Sequence, residues 1–304
     1  MGGGRWSDSD WSSYNKTHVS GKTTKEYYNS SHLHKDLDPK GVKIRESRDS
    51  KENPNSTAII VGLDVTGSMH AVLDTMVRKG LNTLITELYE RKPVTDPHVM
   101  IMGIGDVEWD QAPLQVTQFE ADIRLADQLK NIYLEGGGGG NNYESYILPW
   151  YFAAYHTGID CFDKRKKKGY IFTVGDEEPT PGIKPALINK FLGETVKGDL
   201  TGSDLLSLVS KEYNVYHLMV EEGDYFRRAG DSVVKKWTAL LGQRALRLKD
   251  YRQLSEVIIS AIQLNEGMDK DAIIGSWKGD TAKAVKEAIK NLTSDLPVGG
   301  LVRM

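Results

Sequence analysis

The segment that most constrains this chain is Thr57-Ala58-Ile59-Ile60-Val61-Gly62-Leu63. It is short, apolar and rich in β-branched residues, which suits a strand buried on both faces. Asn53-Pro54-Asn55-Ser56 marks a loop before it. Asp64-Val65-Thr66-Gly67-Ser68 follows at once. Val72, Leu73, Met76, Val77, Leu81, Leu84, Ile85 and Leu88 then recur with the spacing of an amphipathic helix, which should end near Lys92-Pro93. Buried strand, short polar loop and helix form the opening of an α/β fold.

The alternation repeats downstream. His98 to Ile104 reads as a second strand, and Leu114 to Phe119 as a short edge strand after Pro113. Ala121 to Leu134 reads as a helix. A run of glycines, Gly136 to Gly140, leads into an expected helix from Tyr143 to Thr157 that Pro149 should kink or divide. Tyr170 to Val174 is another buried strand, closed by Gly175-Asp176-Glu177-Glu178-Pro179. A helix over Ser203 to Tyr213, a strand over Val215 to Val220 and a helix over Ser232 to Leu241 follow. The last short strand is Ala245 to Leu248, with a helix from Tyr251 to Leu264. Strands separated by helices give a doubly wound α/β fold: a mostly parallel central sheet flanked by helices, with one short antiparallel edge strand.

Residues 1–54 form a polar arm, 55–265 the α/β domain and 266–304 a helical extension with a helix from Thr281 to Leu292. The arm is too polar to build its own core. Trp6, Trp11, Tyr14, Tyr27 and Tyr28 are able to anchor it against the domain or a partner.

A net charge of -3 gives no strong pull toward nucleic acid or anionic membrane. One cysteine, Cys161, permits no internal disulfide. No apolar run is long enough to span a membrane. Met1-Gly2-Gly3-Gly4-Arg5-Trp6-Ser7-Asp8 lacks the apolar core of a secretory signal, so a cytoplasmic protein is expected.

In open α/β sheets, ligands gather beyond the carboxyl ends of the strands. Asp64/Thr66/Ser68, the glycine loop with Asn141, Asn142 and Glu144, and Asp176/Glu177/Glu178 should all meet at that edge. Asp64, Thr66 and Ser68 alternate, offering a carboxylate and two hydroxyls on one side of a turn. Such hard oxygens suit Mg²⁺, or Mn²⁺ or Ca²⁺, rather than zinc. Asp106, Glu108 and Asp110 follow the second strand at the same edge, to tune the site, hold a second ion or form a solvated acidic loop.

Asp64-Val65-Thr66-Gly67-Ser68 resembles the D-x-[ST]-x-S signature of the metal-ion-dependent adhesion site of von Willebrand factor A domains. The preceding Ile59-Ile60-Val61-Gly62-Leu63, and Met69 with its helix, resemble that family too. The resemblance covers roughly residues 56 to 265 and implies a Rossmann-like fold. It implies that Asp176 is the final Asp of the site, acting through water or a hydroxyl. Gly138-Gly139-Gly140-Asn141-Asn142-Tyr143-Glu144 looks like a variant of the family's third loop, with Asn141 the first candidate ligand and Asn142 the second. Asn142, Glu144, Asp106 and Glu177 would then support the ligands from behind. The layout is most similar to the bacterial and phage proteins of the tellurite-resistance and ATPase-associated kind. In that family a bound cation captures a carboxylate from a partner's Asp or Glu, and an AAA-type ATPase is one partner the resemblance implies. No catalysis is expected.

Plainer readings stand beside these. Thr66 and Ser68 would also serve as helix caps, and the glycines as a connector. A phosphate loop is disfavoured because no Gly-Lys-Ser/Thr follows the glycines. Lys164-Arg165-Lys166-Lys167-Lys168 reads as a solvated loop. Two other functions compete: a Mg²⁺-dependent phosphohydrolase of haloacid-dehalogenase type, and a structural protein with a vestigial metal site. The first needs a second Asp two residues after Asp64, where Thr66 stands.

Overall fold

The computed structural model describes residues 4–136 and 140–294. Most of the glycine run (137–139) and the last residues of the C-terminal extension (295–304) lie outside them.

The central sheet has six strands: β1 (Thr57–Asp64), β2 (Pro97–Ile104), β3 (Leu114–Val116), β4 (Gly169–Gly175), β5 (Tyr213–Val220) and β6 (Ala245–Leu248). Their order is β6-β5-β4-β1-β2-β3, all parallel except β3, which runs antiparallel to β2 at the edge. This is the doubly wound, Rossmann-like arrangement expected from the sequence. The winding direction reverses between β1 and β4, the position where such sheets bind ligands.

Every residue of β1, β2, β4 and β5 is buried, so their apolar runs serve two cores at once. Ile59, Val61 and Leu63 of β1 face one core, and Ala58 and Ile60 the other. The first core is closed by the helical run Gly67–Met69, His70–Thr75, Met76–Gly80 and Leu81–Arg91, by Leu254–Asn265 and by Gly279–Ile289. The second is closed by Leu148–His156, Gly202–Val209 and Asp224–Leu241.

Several helix limits differ from the sequence expectation, for local reasons. The helix expected from Tyr143 begins only at Leu148. Pro149 sits in its first turn, where no N–H is needed, and causes no kink. Tyr143–Glu144 instead pairs in parallel with Glu178–Pro179. The expected Ala121–Leu134 helix is helical only over Arg124–Leu129. Beyond it, the Gln115 side chain takes both backbone groups of Tyr133, donating to its carbonyl at 2.7 Å and accepting from its N–H at 2.8 Å. That pairing ties the chain to β3 instead of continuing the helix. A helix not foreseen, Pro185–Leu192, packs on the second core through Ile188 and Leu192.

The arm lies on the first core. Trp6, Trp11, Tyr14, Val19, Tyr27, Tyr28 and Leu37 are all buried there. Tyr14 and Tyr27 both donate to the carbonyl of Ala126, at 2.8 and 3.1 Å, and the Trp6 indole donates to Asn82 at 3.0 Å. Arg45–Ser47 adds a short parallel pairing with Thr157–Ile159. Polar in composition, the arm is ordered by the few aromatics it inserts.

Candidate metal centre

β1 delivers Asp64 to the carboxyl edge of the sheet, fully buried. The chain then turns tightly. The Asp64 Oδ1 accepts the Thr66 backbone N–H at 2.9 Å and the Thr66 hydroxyl at 2.5 Å. Thr66 therefore serves the carboxylate, and its side chain makes no cap bond to the helix that follows. Thr66 is buried, whereas Gly67 and Ser68 are exposed. The Ser68 hydroxyl donates to Asp176 Oδ1 at 3.2 Å.

Asp176 leaves the end of β4, next to β1 across the switch point. Its Oδ2 accepts the backbone N–H of Tyr225 at 2.9 Å, and Phe226 N–H also reaches the carboxylate. The N-terminus of the Asp224–Leu241 helix thus holds Asp176 in place, with the helix dipole favouring its charge. Gly223 makes this approach possible, since a Cβ there would lie 2.2 Å from the Asp176 Cβ.

The second oxygen of Asp64 is taken by a residue from the third loop. Tyr146, fully buried, donates its hydroxyl to Asp64 Oδ2 at 2.8 Å and accepts the Glu177 N–H at 3.4 Å. Its ring stands edge-on to His217 and Trp237, which stack on each other with centroids 3.6 Å apart. Gly175 leaves the space for that hydroxyl, because a Cβ there would fall 2.0 Å from it.

More carboxylates gather around this core. Asp106 is fully buried, and Glu108 donates its N–H to it at 2.7 Å. Asn141 gives its amide N–H to the other oxygen of Asp106. Among the described residues, no hydrogen bond joins Asn141 to Asp64, Thr66, Ser68 or Asp176. Asn142 is exposed and offers its backbone carbonyl to Glu178 N–H at 3.2 Å. Gly136, at the start of the glycine run, places its carbonyl 3.4 Å from where a Cβ of Gly67 would be, so that loop does meet the first motif. Glu144 is buried, and among the described residues its Oε2 has no hydrogen-bond partner; nor has Oε2 of Glu177. Glu178 stands apart, tied to Ser232 at 2.5 Å and to Lys236 on the flanking helix.

Burial dominates the electrostatics. It pushes the Asp64 carboxyl up to about 7, helped by the neighbouring Asp176 charge and resisted by the bonds from Thr66 and Tyr146. Burial and the charge of Asp64 push Glu177 up to about 8 and Glu144 to about 11. Asp176, Asp106 and Asp110 are also raised by burial. Among the described residues, no Lys or Arg forms an ion pair with Asp64, Asp106, Asp110, Glu144, Asp176 or Glu177. Uncompensated negative charge in a buried site favours either a proton or a cation.

The donor set fits a hard divalent cation, with one restriction. Among the described residues, no three His, Cys, Asp or Glu side chains are placed to hold a metal by themselves. An ion at this edge would therefore need the hydroxyls of Ser68 and Thr66 beside Asp64 and Asp176, and water to complete its shell. Hydroxyl and carboxylate oxygens suit Mg²⁺, Mn²⁺ or Ca²⁺ better than softer metals.

No protein-family model matches the sequence, and no curated protein matches it. Solved structures do. The open form of the pilus adhesin SpaC from Lactobacillus rhamnosus GG is similar with a TM-score of 0.48 and 9% identity, over 71% of this chain and 31% of the adhesin. Proximal thread matrix protein 1 from the mussel byssus is similar with a TM-score of 0.44 and 11% identity, over 69% of this chain and 47% of that protein. A form of the mussel protein described as having a zinc-occupied MIDAS motif aligns with a TM-score of 0.42 at 10% identity, over 69% of this chain and 47% of that one. The chain thus spans a third to a half of the length of these structures.

Sequence reasoning missed Tyr146, Gly175 and Gly223. Tyr146 follows Glu144 closely, but nothing in its local pattern distinguishes it from a core aromatic. Gly175 and Gly223 carried a weak signal: each ends or follows a buried strand, where a glycine often marks a close approach.

Proposed function

We propose that this chain is a divalent-cation-dependent protein-binding module of von Willebrand factor A type. The observation that carries the reading is the group of buried carboxylates at the switch point of the sheet, Asp64, Asp106, Glu144 and Asp176, with which no Lys or Arg among the described residues forms an ion pair. Ser68 and Thr66, with Asp64 and Asp176, would hold the ion. A bound cation would supply positive charge with a vacant position, open to a carboxylate from a partner. Each protein group has a defined task. Thr66 and Tyr146 orient the two oxygens of Asp64. The Asp224–Leu241 helix fixes Asp176, and Asp176 fixes the exposed Ser68. Asn141 serves Asp106 in this arrangement, and the third loop acts on Asp64 through Tyr146.

We propose binding rather than catalysis. A phosphohydrolase of haloacid-dehalogenase type needs an acid at the position of Thr66, whose hydroxyl is instead donated to Asp64. A role as adaptor to an AAA-type ATPase is a narrower form of the same proposal. Mg²⁺ is the preferred ion, with Mn²⁺ or Ca²⁺ able to replace it.

The test is affinity capture from lysate on the immobilised full chain, in Mg²⁺ and in chelator, beside the Asp64→Ala variant. A partner retained only by the unaltered chain in Mg²⁺ supports the proposal. Retention unaffected by both chelator and Asp64→Ala defeats it.

A further inference from the structure

Among the described residues, large hydrophobic side chains are exposed at Ile44, Trp109, Tyr155 and Met268, and Trp109 is the most exposed at 63%. It alone stands on a loop of the carboxylate edge, three residues beyond Asp106. Exposure of a Trp on a mobile loop would mean little, but this loop is tightly bonded. Asp106 N–H donates to Asp110 Oδ2 at 2.7 Å, and Asp110 N–H donates back to the Asp106 carbonyl at 2.8 Å. Val107 N–H donates to Ser145 Oγ at 2.9 Å, which ties the loop to the segment carrying Glu144 and Tyr146. Gly105 admits the Asp110 carboxylate where a Cβ would lie 2.5 Å from it. The fold therefore presents the indole on a rigid mount. No aromatic or cation–π contact among the described residues covers the ring.

One cation, Arg228, borders the site, while the neighbouring Arg227 pairs with Asp224 at 3.7 Å. Arg227 and Arg228 are exposed at the start of the Asp224–Leu241 helix. Arg228 is near enough to act on the charge of Glu177 and lies 5.8 Å from the Tyr225 ring centroid. An acidic partner arriving at the edge would meet the Arg228 guanidinium group.

We propose that Trp109 is the apolar half of a two-part docking surface whose other half is the cation site. The partner is a protein segment with an Asp or Glu side chain and a large apolar side chain beside it. The carboxylate goes to the cation edge, bordered by Arg228, and the apolar side chain covers the Trp109 ring. A rigid, exposed Trp beside a polar anchor point is the usual composition of an interface hot spot. This inference rests on the function proposed above.

Calorimetry on the full chain with three capped tripeptide amides tests it: N-acetyl-Gly-Asp-Phe, N-acetyl-Gly-Asp-Gly and N-acetyl-Gly-Asn-Phe. In Mg²⁺ the Asp-Phe peptide should bind about thirtyfold tighter than Asp-Gly, the scale of a hot-spot contact, and the Asn peptide should not bind. Trp109→Ala should erase that gain and leave Asp-Gly and Mg²⁺ affinity unchanged, while Trp109→Phe should keep most of it. Equal affinity for the two Asp peptides, a gain that survives Trp109→Ala, or no peptide binding at all overturns the inference. A gain that depends on Trp109 but persists in chelator supports this surface and defeats the cation reading instead. Mg²⁺ titration without peptide judges that reading alone.

Discussion

Replacing Asp64 with Asn should stabilise the cation-free protein at pH 8 and do progressively less for it toward pH 4. In chelator, Asp64 is a fully buried carboxyl pushed up to about 7, chiefly by burial. In the unfolded chain it titrates near its ordinary value of about 3.9. Between these values the folded protein holds a proton that the unfolded chain has released. Stability therefore falls as pH rises from about 4 to about 7, then levels off. The full difference corresponds to at most about 4 kcal/mol, since about 1.4 kcal/mol accompanies each tenfold change in proton affinity. Neighbouring acids share protons with Asp64, so a loss on the order of 2–4 kcal/mol is expected. Asn keeps an oxygen for the two Thr66 bonds and carries no charge. His217 runs the other way: burial lowers its pKa, so it adds stability as pH rises toward about 6.5. Comparing unaltered protein with Asp64→Asn at each pH cancels it. Thermal unfolding in chelator from pH 4 to 8 is the assay. For a chain of this size about 2 °C accompanies each kcal/mol, so the variant should melt roughly 4–8 °C higher at pH 8, keep about a third of that gain at pH 5 and be nearly level with the unaltered protein at pH 4. A difference that is independent of pH, or that grows toward acid, would refute the reasoning.

Three further outcomes follow from the same geometry. Gly175→Ala drives a methyl into the Tyr146 hydroxyl, so it should cost about 1–3 kcal/mol in denaturant melts and weaken Mg²⁺ binding measured by calorimetry. Ser68→Ala removes one hydrogen bond to Asp176 from an exposed residue, so unfolding should shift by about 1 kcal/mol or less while Mg²⁺ affinity falls at least several-fold. Trp11→Ala empties a buried site in the arm and should cost about 3 kcal/mol or more in thermal unfolding; an unchanged melting temperature would mean the arm is not docked in solution.

The fold was legible because its strands are buried on both faces and so are written as unbroken apolar runs. β1, β2, β4, β5 and β6 begin and end within two residues of the expected positions. Asp64 and Asp176 could be placed at one edge because each directly follows such a run. Helix limits were less legible where a distant side chain decides them, as Gln115 does for Tyr133. The same holds for the site. Tyr146 reaches Asp64 across 82 residues, and only the missing Cβ of Gly175 makes room for it. The family resemblance implied Asn141 as a ligand beside the first motif, while the fold turns its amide N–H to Asp106. The docking of the arm depends on a few aromatics in a polar segment, which composition averages away.

Crystals of the full chain soaked in Mn²⁺ and measured at a wavelength where manganese scatters anomalously give the most direct test. A single strong anomalous peak beside Ser68 Oγ, lost in crystals of Asp64→Asn, is the result expected if an ion occupies the switch point of the sheet. No peak at that edge under saturating Mn²⁺, or a peak only elsewhere on the surface, would contradict it.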